Sequence, residues 1–204
     1  MGRLPLIEMD ELTPHTPEST NNFAKSTDES SCRQWFVMRD LTRYNAKRPA
    51  YLMLQEKRIR YFTPMVWKLF DLKGRRERKK VPYMQDLIFV HDTRETLDRI
   101  VERIPTFQYR YLRKTNRIPM TVRDTDMERF IRAVESVESP HYYRPDEITP
   151  EMCNRRIRII GGQLDGYEGG LITTRGSKTK RLLVELPTLL AASVEVEPEY
   201  IQLI

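Results

Sequence analysis

The stretch 158–172, RIIGGQLDGYEGGLI, constrains this chain more than any other. A β-branched run enters the pair Gly161-Gly162, turns tightly, and leaves through Gly169-Gly170 into a second strand. Gly166 and Gly169 sit three apart, where a small β-barrel needs either a positive φ or close backbone approach. From Cys153 onward the sequence reads only as short strands, at 156–160, 169–174, 181–186, 192–196 and 200–203. Five strands in so short a segment imply a small closed barrel, because closure removes exposed edges.

The rest of the chain is read against that C-terminal unit. Residues 1–31 are rich in Thr, Ser, Asn, Pro and acids and have no apolar periodicity, so they read as a disordered acidic tail. Residues 32–138 carry 25 basic and 14 acidic side chains, which concentrates the positive charge of the protein in one segment. Such a segment is drawn to polyanions, above all nucleic acid, with strong salt dependence. Residues 139–152 contain Pro140, Pro145 and Pro150 among polar residues and read as an interdomain linker before the barrel of residues 153–204. No apolar run is long enough to cross a bilayer, and the N-terminus lacks the apolar core of a secretory signal. Cys32 and Cys153 are far apart with no CxxC spacing, so a cytoplasmic chain without structural disulfides is expected.

Within the basic segment, elements alternate. The run 34–39 (QWFVMR) predicts a strand with large residues on both faces, and a helix follows over about 44–57 with Pro49 in its first turn. Residues 58–63 form a strand closed by Pro64, 65–82 a hairpin with its tip at 71–76, and 87–90 another strand. Thr93 caps a helix to Ile104, on which Leu97, Ile100, Val101 and Ile104 share a face. Short strands at 108–112 and 119–122 precede a last helix capped by Asp124, with Met127, Phe130, Ile131 and Val134 as its apolar stripe. The order gives an α+β protein: an N-terminal α/β sandwich, with an antiparallel sheet packed on helices, followed by the five-stranded SH3-like barrel.

In this order, residues 34–204 resemble the NusG family of transcription elongation factors, an NGN domain followed by a KOW barrel. The resemblance is carried by Trp35-Phe36-Val37-Met38, by Phe62-Thr63-Pro64, by the stretch 82–90 (PYMQDLIFV), by the glycine loop 162–169, and by Val194-Glu195-Val196 followed by Tyr200-Ile201. Gln85-Asp86 stands where the family has a Pro-Gly or Pro-Asn turn, Leu87 replaces a strand aromatic, and 186–191 (LPTLLA) replaces a Phe-Gly-Arg loop. With the acidic tail, these departures resemble a specialised paralogue of the RfaH-like and UpxY group of operon-specific antiterminators.

The resemblance implies a monomeric, cytoplasmic factor that binds RNA polymerase at the clamp helices of its largest subunit. One sheet face is covered by helices; the other, two-faced strand 87–90 included, needs the barrel, a partner or solvent over it. Carried over residue by residue, the polymerase-facing positions are Trp35, Val37, Met84, Leu87 and Phe89, and Phe89→Ala is expected to weaken binding without unfolding the protein. Lys73, Arg75, Arg76, Arg78, Lys79 and Lys80 around the hairpin tip are expected to contact phosphates of upstream or non-template DNA, which positions without reading bases. Arg39, Arg43, Lys47 and Arg48 add charge beside the first helix. Leu164 takes the barrel-loop position that in the family docks on ribosomal protein S10 or on Rho, and Tyr167 is a packing residue.

No cofactor or metal site is expected. His15, His91 and His141 are scattered, and no nucleophile-elbow, zinc-protease or P-loop spacing occurs, so a catalytic role has no support. The competing readings are a ribosome-associated KOW protein on rRNA and a general NusG factor engaging Rho. The segment 187–192 (PTLLAA) could also be helical, as in a fold-switching barrel.

Overall fold

A computed structural model describes residues 32–43, 48–72, 74–113, 115, 117–173, 176 and 178–204. The acidic tail, Lys47 and Lys73 lie outside the described residues. Up to Glu135 the element order is the expected one. The N-terminal unit comprises β1 (Gln34–Asp40), α1 (Ala50–Glu56), β2 (Arg60–Phe62), the hairpin β3 (Met65–Leu72) and β4 (Arg75–Pro82), β5 (Ile88–Asp92), α2 (Arg94–Arg103), β6 (Phe107–Tyr109), β7 (Thr121–Val122) and α3 (Asp124–Glu135). Its sheet runs β2-β5-β1-β6, with β7 also paired to β1, and every pairing is antiparallel.

Both sheet faces are apolar because β1 and β5 present large side chains in both directions. Phe36, Met38, Ile88 and Val90 pack with α1 and α2 through Leu54, Leu97 and Ile100. Trp35, Val37, Leu87 and Phe89 face the other way and pack with α3 through Met127 and Phe130. The Phe130 ring meets Phe62 edge-on at 6.0 Å. The sandwich therefore has helices on both faces, and the face expected to lack a helix is covered by α3. The Thr93 hydroxyl accepts from the Thr96 N–H at 3.2 Å, as a cap should. Asp124 instead opens α3 as its first residue after Arg123. Buried Asp40 supplies an unforeseen cap: its carboxylate accepts from the N–H of Ala50 at 2.7 Å, where Pro49 leaves the start of α1 without a side-chain partner.

The barrel strands fall close to their expected positions: β9 (Arg156–Ile159), β10 (Glu168–Thr173), β11 (Lys180–Leu186), β12 (Leu190–Val196) and β13 (Ile201–Leu203). Residues 187–189 form a turn, with Thr188 at φ 65°, so the helical alternative for this segment does not hold. The two halves of the glycine expectation separate cleanly. Gly166 adopts φ +75°, whereas Gly169 lies so close to β11 that a Cβ would sit 2.1 Å from the Leu183 carbonyl oxygen.

Residues 139–152 depart from a plain linker. They contain β8 (His141–Tyr143), a 3-10 turn (Pro145–Glu147) and α4 (Pro150–Cys153). β8 pairs with β12, so the sheet runs β13-β9-β10-β11-β12-β8 and holds six strands. Sequence patterning misses β8 because it has three residues between prolines and owes its extended form to the edge it joins. The barrel is not loosely tethered. α3 packs on β11 and β12 as well as on the N-terminal sheet, and one continuous apolar cluster runs from Trp35 and Phe89 through Met127 and Ala133 to Leu182, Val184 and Ile157.

Candidate nucleic-acid and partner interfaces

The hairpin β3–β4 forms a two-stranded sheet of its own. Its register pairs Trp67 with Lys80, Leu69 with Arg78 and Asp71 with Arg76, and Gly74 at φ +78° makes the reversal tighter than the expected tip. Alternation therefore gathers Trp67, Leu69, Asp71, Arg76, Arg78 and Lys80 on one face. Arg75 and Lys79 lie on the other, where Lys79 pairs with Glu77 at 3.0 Å. Residues 65–82 carry seven basic and two acidic side chains. Trp67 is 42% exposed and Leu69 62% exposed, both large apolar residues held out in a cationic field. The Arg78 guanidinium stacks on the indole of Trp67 at 4.7 Å, and the Lys80 ammonium lies 6.0 Å from the same ring. The structure thus brings together Arg76, Arg78 and Lys80 of the expected phosphate contacts and turns Arg75 and Lys79 away from them. Trp67 was legible in principle, since pairing the hairpin about Gly74 sets it opposite Lys80.

Arg39 and Arg48, beside the first helix, are held in ion pairs: Arg39 with Asp86 at 3.9 Å and Arg48 with Glu56 at 2.5 Å. Asp86 also pairs with Arg110 at 3.2 Å, and the Gln85 amide donates to the Thr42 carbonyl. The substituted turn Gln85-Asp86 therefore ties the loop before β5 to its neighbours.

The expected polymerase face needs a correction of geometry. Trp35, Val37, Leu87 and Phe89 are each 0% exposed, sealed beneath α3, and a partner cannot touch them in this arrangement. The Arg60 guanidinium lies over the Trp35 ring, 5.1 Å from its centroid, and the His91 ring is also 5.1 Å away. Phe89→Ala would open a cavity in a closed core, so the expectation of an intact fold does not stand. The strand pattern is equally consistent with an open face; the stripe of α3 is what closes it. Met84 is only partly buried, at the margin of the same core. Leu164 is also buried, 6% exposed within the barrel core, because the loop folds inward with the Gly166 N–H donating to the Ile159 carbonyl at 2.8 Å. A surface contact through Leu164 has no side chain to use here.

A seam between the two units takes the place of those surfaces. The Tyr167 hydroxyl donates to the Arg129 carbonyl at 3.1 Å, and the Arg129 guanidinium donates to the Glu168 carbonyl at 2.8 Å while stacking on the Tyr167 ring at 4.9 Å. Tyr167 is thus a packing residue, as expected, across two domains. Glu168 is held below the usual carboxylate range by hydrogen bonding to Arg158, whose Nε lies 2.8 Å away. At the other end of the seam, the Tyr83 ring packs on Tyr142 at 5.5 Å and its hydroxyl donates to Glu147 at 2.9 Å. The Arg144 N–H, with Tyr83, holds the Glu147 carboxyl down; burial, aided by Glu147, holds the Tyr83 phenol up. Burial pushes the Tyr142 phenol up to about 12. His141 on β8 contacts Arg181, which donates to Glu195 at 3.0 Å; burial first, then Arg181, lowers the His141 pKa. Apart from Arg144 with Glu147 and Arg158 with Glu168, these partners had no sequence signal, since they pair residues far apart in the chain.

Among the described residues, no group of three or more His, Cys, Asp or Glu side chains is placed to hold a metal, and no helix is long and apolar enough to cross a membrane. No curated protein matches the chain. A solved structure titled "Domain interaction in Thermotoga maritima NusG" is similar over 86% of this chain and 99% of its own length, at 13% identity and a TM-score of 0.44. The family model described as transcription termination factor NusG matches residues 33–131, a span running from the start of β1 into α3. The likeness to that family thus spans just under half of the chain and coincides with the N-terminal unit up to α3.

Proposed function

We propose that the protein is a transcription elongation and antitermination factor that binds RNA polymerase through its N-terminal unit and a second partner through its barrel. The observation that supports this reading is the match of residues 33–131 to the NusG family model, followed by a glycine-looped β unit of short antiparallel strands. The factor acts by binding, not catalysis: it bridges the polymerase clamp and favours the closed form that resists pausing. Substitution of the family turn by Gln85-Asp86 and the acidic tail favour an operon-specific member of the RfaH-like and UpxY kind.

With Trp35, Val37, Leu87 and Phe89 serving as the core that shapes the domain, polymerase contact falls on the margin at Tyr83 and Met84. That margin is partly occupied by Tyr142 and Glu147, so polymerase engagement competes with the seam. Arg76, Arg78 and Lys80 contribute phosphate contacts to upstream DNA, with Arg75 and Lys79 adding positive charge from the opposite face of the hairpin. The barrel recruits its partner, of the ribosomal-protein or Rho class, from the released state. The test is co-purification of the tagged full-length chain with core RNA polymerase, in wild type and in Met84→Glu. Polymerase capture by the wild type and its loss in Met84→Glu, with unchanged circular dichroism, is the expected result. Sedimentation with ribosomal subunits at high salt, without polymerase capture, would overturn it in favour of an rRNA-binding protein.

A further inference from the structure

Between the root of the hairpin and the end of α3 runs a groove of about 530 Å³. Trp67 and Lys80 line one side, with Tyr61 and Tyr51 beside them, and Glu135 and Glu138 line the other. We propose that this groove binds single-stranded RNA, with one unpaired base stacked on Trp67 and the adjacent phosphate held by Lys80. The proposal goes beyond the factor's polymerase contacts and rests on the reading above only in taking the hairpin as a nucleic-acid surface.

Three observations converge on this ligand. Trp67 is the exposed one of the two tryptophans, and a 42% exposed indole among cations is a sequence-tolerant stacking platform. The stacked Arg78 guanidinium fixes the ring plane and adds positive charge beside it, so a base and its phosphate are satisfied together. Arg76, Arg78 and Lys80 make no ion pair among the described residues, and although Asp71 lies opposite Arg76 its carboxylate accepts from the Gly74 N–H, so this face of the hairpin presents a net positive charge toward a polyanion. A protein partner that covered Leu69 and Trp67 would have to bring acidic groups to match; a nucleic-acid strand supplies one at every residue.

The acidic wall selects the kind of strand. Glu135 and Glu138 repel phosphate and orient the backbone toward Lys80, leaving sugar and base edges facing the carboxylates. Carboxylates only accept hydrogen bonds. A ribose offers its 2′-hydroxyl as a donor to them, and a deoxyribose offers nothing, so RNA fits this wall better than DNA. A paired duplex fits poorly because its bases are already stacked and cannot reach the indole.

The experiment uses the full-length protein and a fluorescein-labelled twelve-residue oligo(A) RNA, read by anisotropy, beside the same DNA sequence and a duplex. Because Trp35 is 0% exposed, tryptophan quenching during the titration reports Trp67 independently. The expected result is quenching by RNA, tighter binding to RNA than to the matching DNA or duplex, and a loss of at least about fivefold in Trp67→Ala. Trp67→Phe retains most of the affinity, Lys80→Gln lowers the salt slope by about 0.7, and Glu135→Gln with Glu138→Gln erodes the preference for RNA. Unchanged RNA affinity in Trp67→Ala overturns the stacking site, and equal affinity for the DNA oligonucleotide overturns the assignment to RNA. Polymerase capture by Trp67→Ala stays at the wild-type level, so failure here is distinct from failure of the transcription reading.

Discussion

The close approach at Gly169 gives the sharpest test of how the barrel is built. A methyl group there would lie 2.1 Å from the Leu183 carbonyl oxygen, 3.2 Å from its carbon and 3.0 Å from a Leu182 methyl. Ordinary carbon–oxygen contacts lie at about 3.3–3.6 Å, so Gly169→Ala must push β10 from β11 by more than about 1 Å. That displacement disrupts the pairing of Gly170 with Leu183 and Leu171 with Leu182. Two weakened hydrogen bonds at about 0.5–1.5 kcal/mol each and about 1–3 kcal/mol of overpacking bring the cost to about 3 kcal/mol or more. For a chain of this size that corresponds to a fall of roughly 6–12 °C in Tm. Gly166→Ala is the control: nothing lies within 4 Å, and the only penalty is the left-handed backbone at φ +75°, about 1–2 kcal/mol. Gly170→Ala should fall between them, because its 2.5 Å contact is with the Met152 carbonyl on the short α4, which can shift. Urea denaturation followed by circular dichroism measures all three. A Gly169→Ala loss no larger than that of Gly166→Ala would refute the close-packing account.

Phe89→Ala should cost about 3–5 kcal/mol, as for other buried aromatic truncations, and show as a lowered urea midpoint; a midpoint within about 1 kcal/mol of wild type would mean that α3 does not seal this face. Acid should destabilise the fold, at the seam through Glu147 and within the C-terminal sheet through Glu168 and His141. Glu147 and Glu168 have folded pKa values below their ordinary range, so their contribution is present above about pH 4.3 and is lost as pH falls through the folded values. His141, faced by Arg181 and Glu195, has a lowered folded pKa, so the unfolded chain takes the proton first and stability declines as pH drops below about 6.5. All three shifts have the same sign, and the urea midpoint should fall from pH 7.5 to pH 4, with His141→Asn flattening the upper part; a midpoint that rises toward pH 5 would contradict the assignment.

The alternation of β1 and β5 and the spacing of α2 and α3 are written in local sequence, because period 2 and period 3.6 need only neighbours. Gly166 and Gly169 were legible for the same reason. What covers a face is not local. The stripe Met127, Phe130 and Val134 promised an amphipathic helix, and nothing in it names the sheet holding Trp35 and Phe89 as its target. β8 was hidden because three residues between prolines carry no pattern of their own, and its identity comes from the free edge of β12. The hairpin was recognised from its charge, but the relevant subset of that charge follows from register, which Gly74 sets. Leu164 shows the opposite hazard: a loop position borrowed from a resemblance carries no burial, and here the loop turns the side chain inward.

The shared core alters what recruitment by two domains means. A unit of about 60 residues buries only about 60% of its surface and is marginal alone; here α3 covers β11 and β12, and β8 completes the edge beside β12. Separation of the units therefore exposes apolar surface on both sides at once. Under the proposed function, a polymerase contact at Tyr83 and Met84 and a partner of the barrel draw on the same opening equilibrium. Each binds with an affinity reduced by the fraction of molecules that are open. Whichever binds first removes that penalty for the other, and linkage requires the two gains to be equal. A seam stapled by Arg129, Tyr167 and Glu147 would then couple the sites without a signal passing through either core, because each partner pulls on the closure that hinders both.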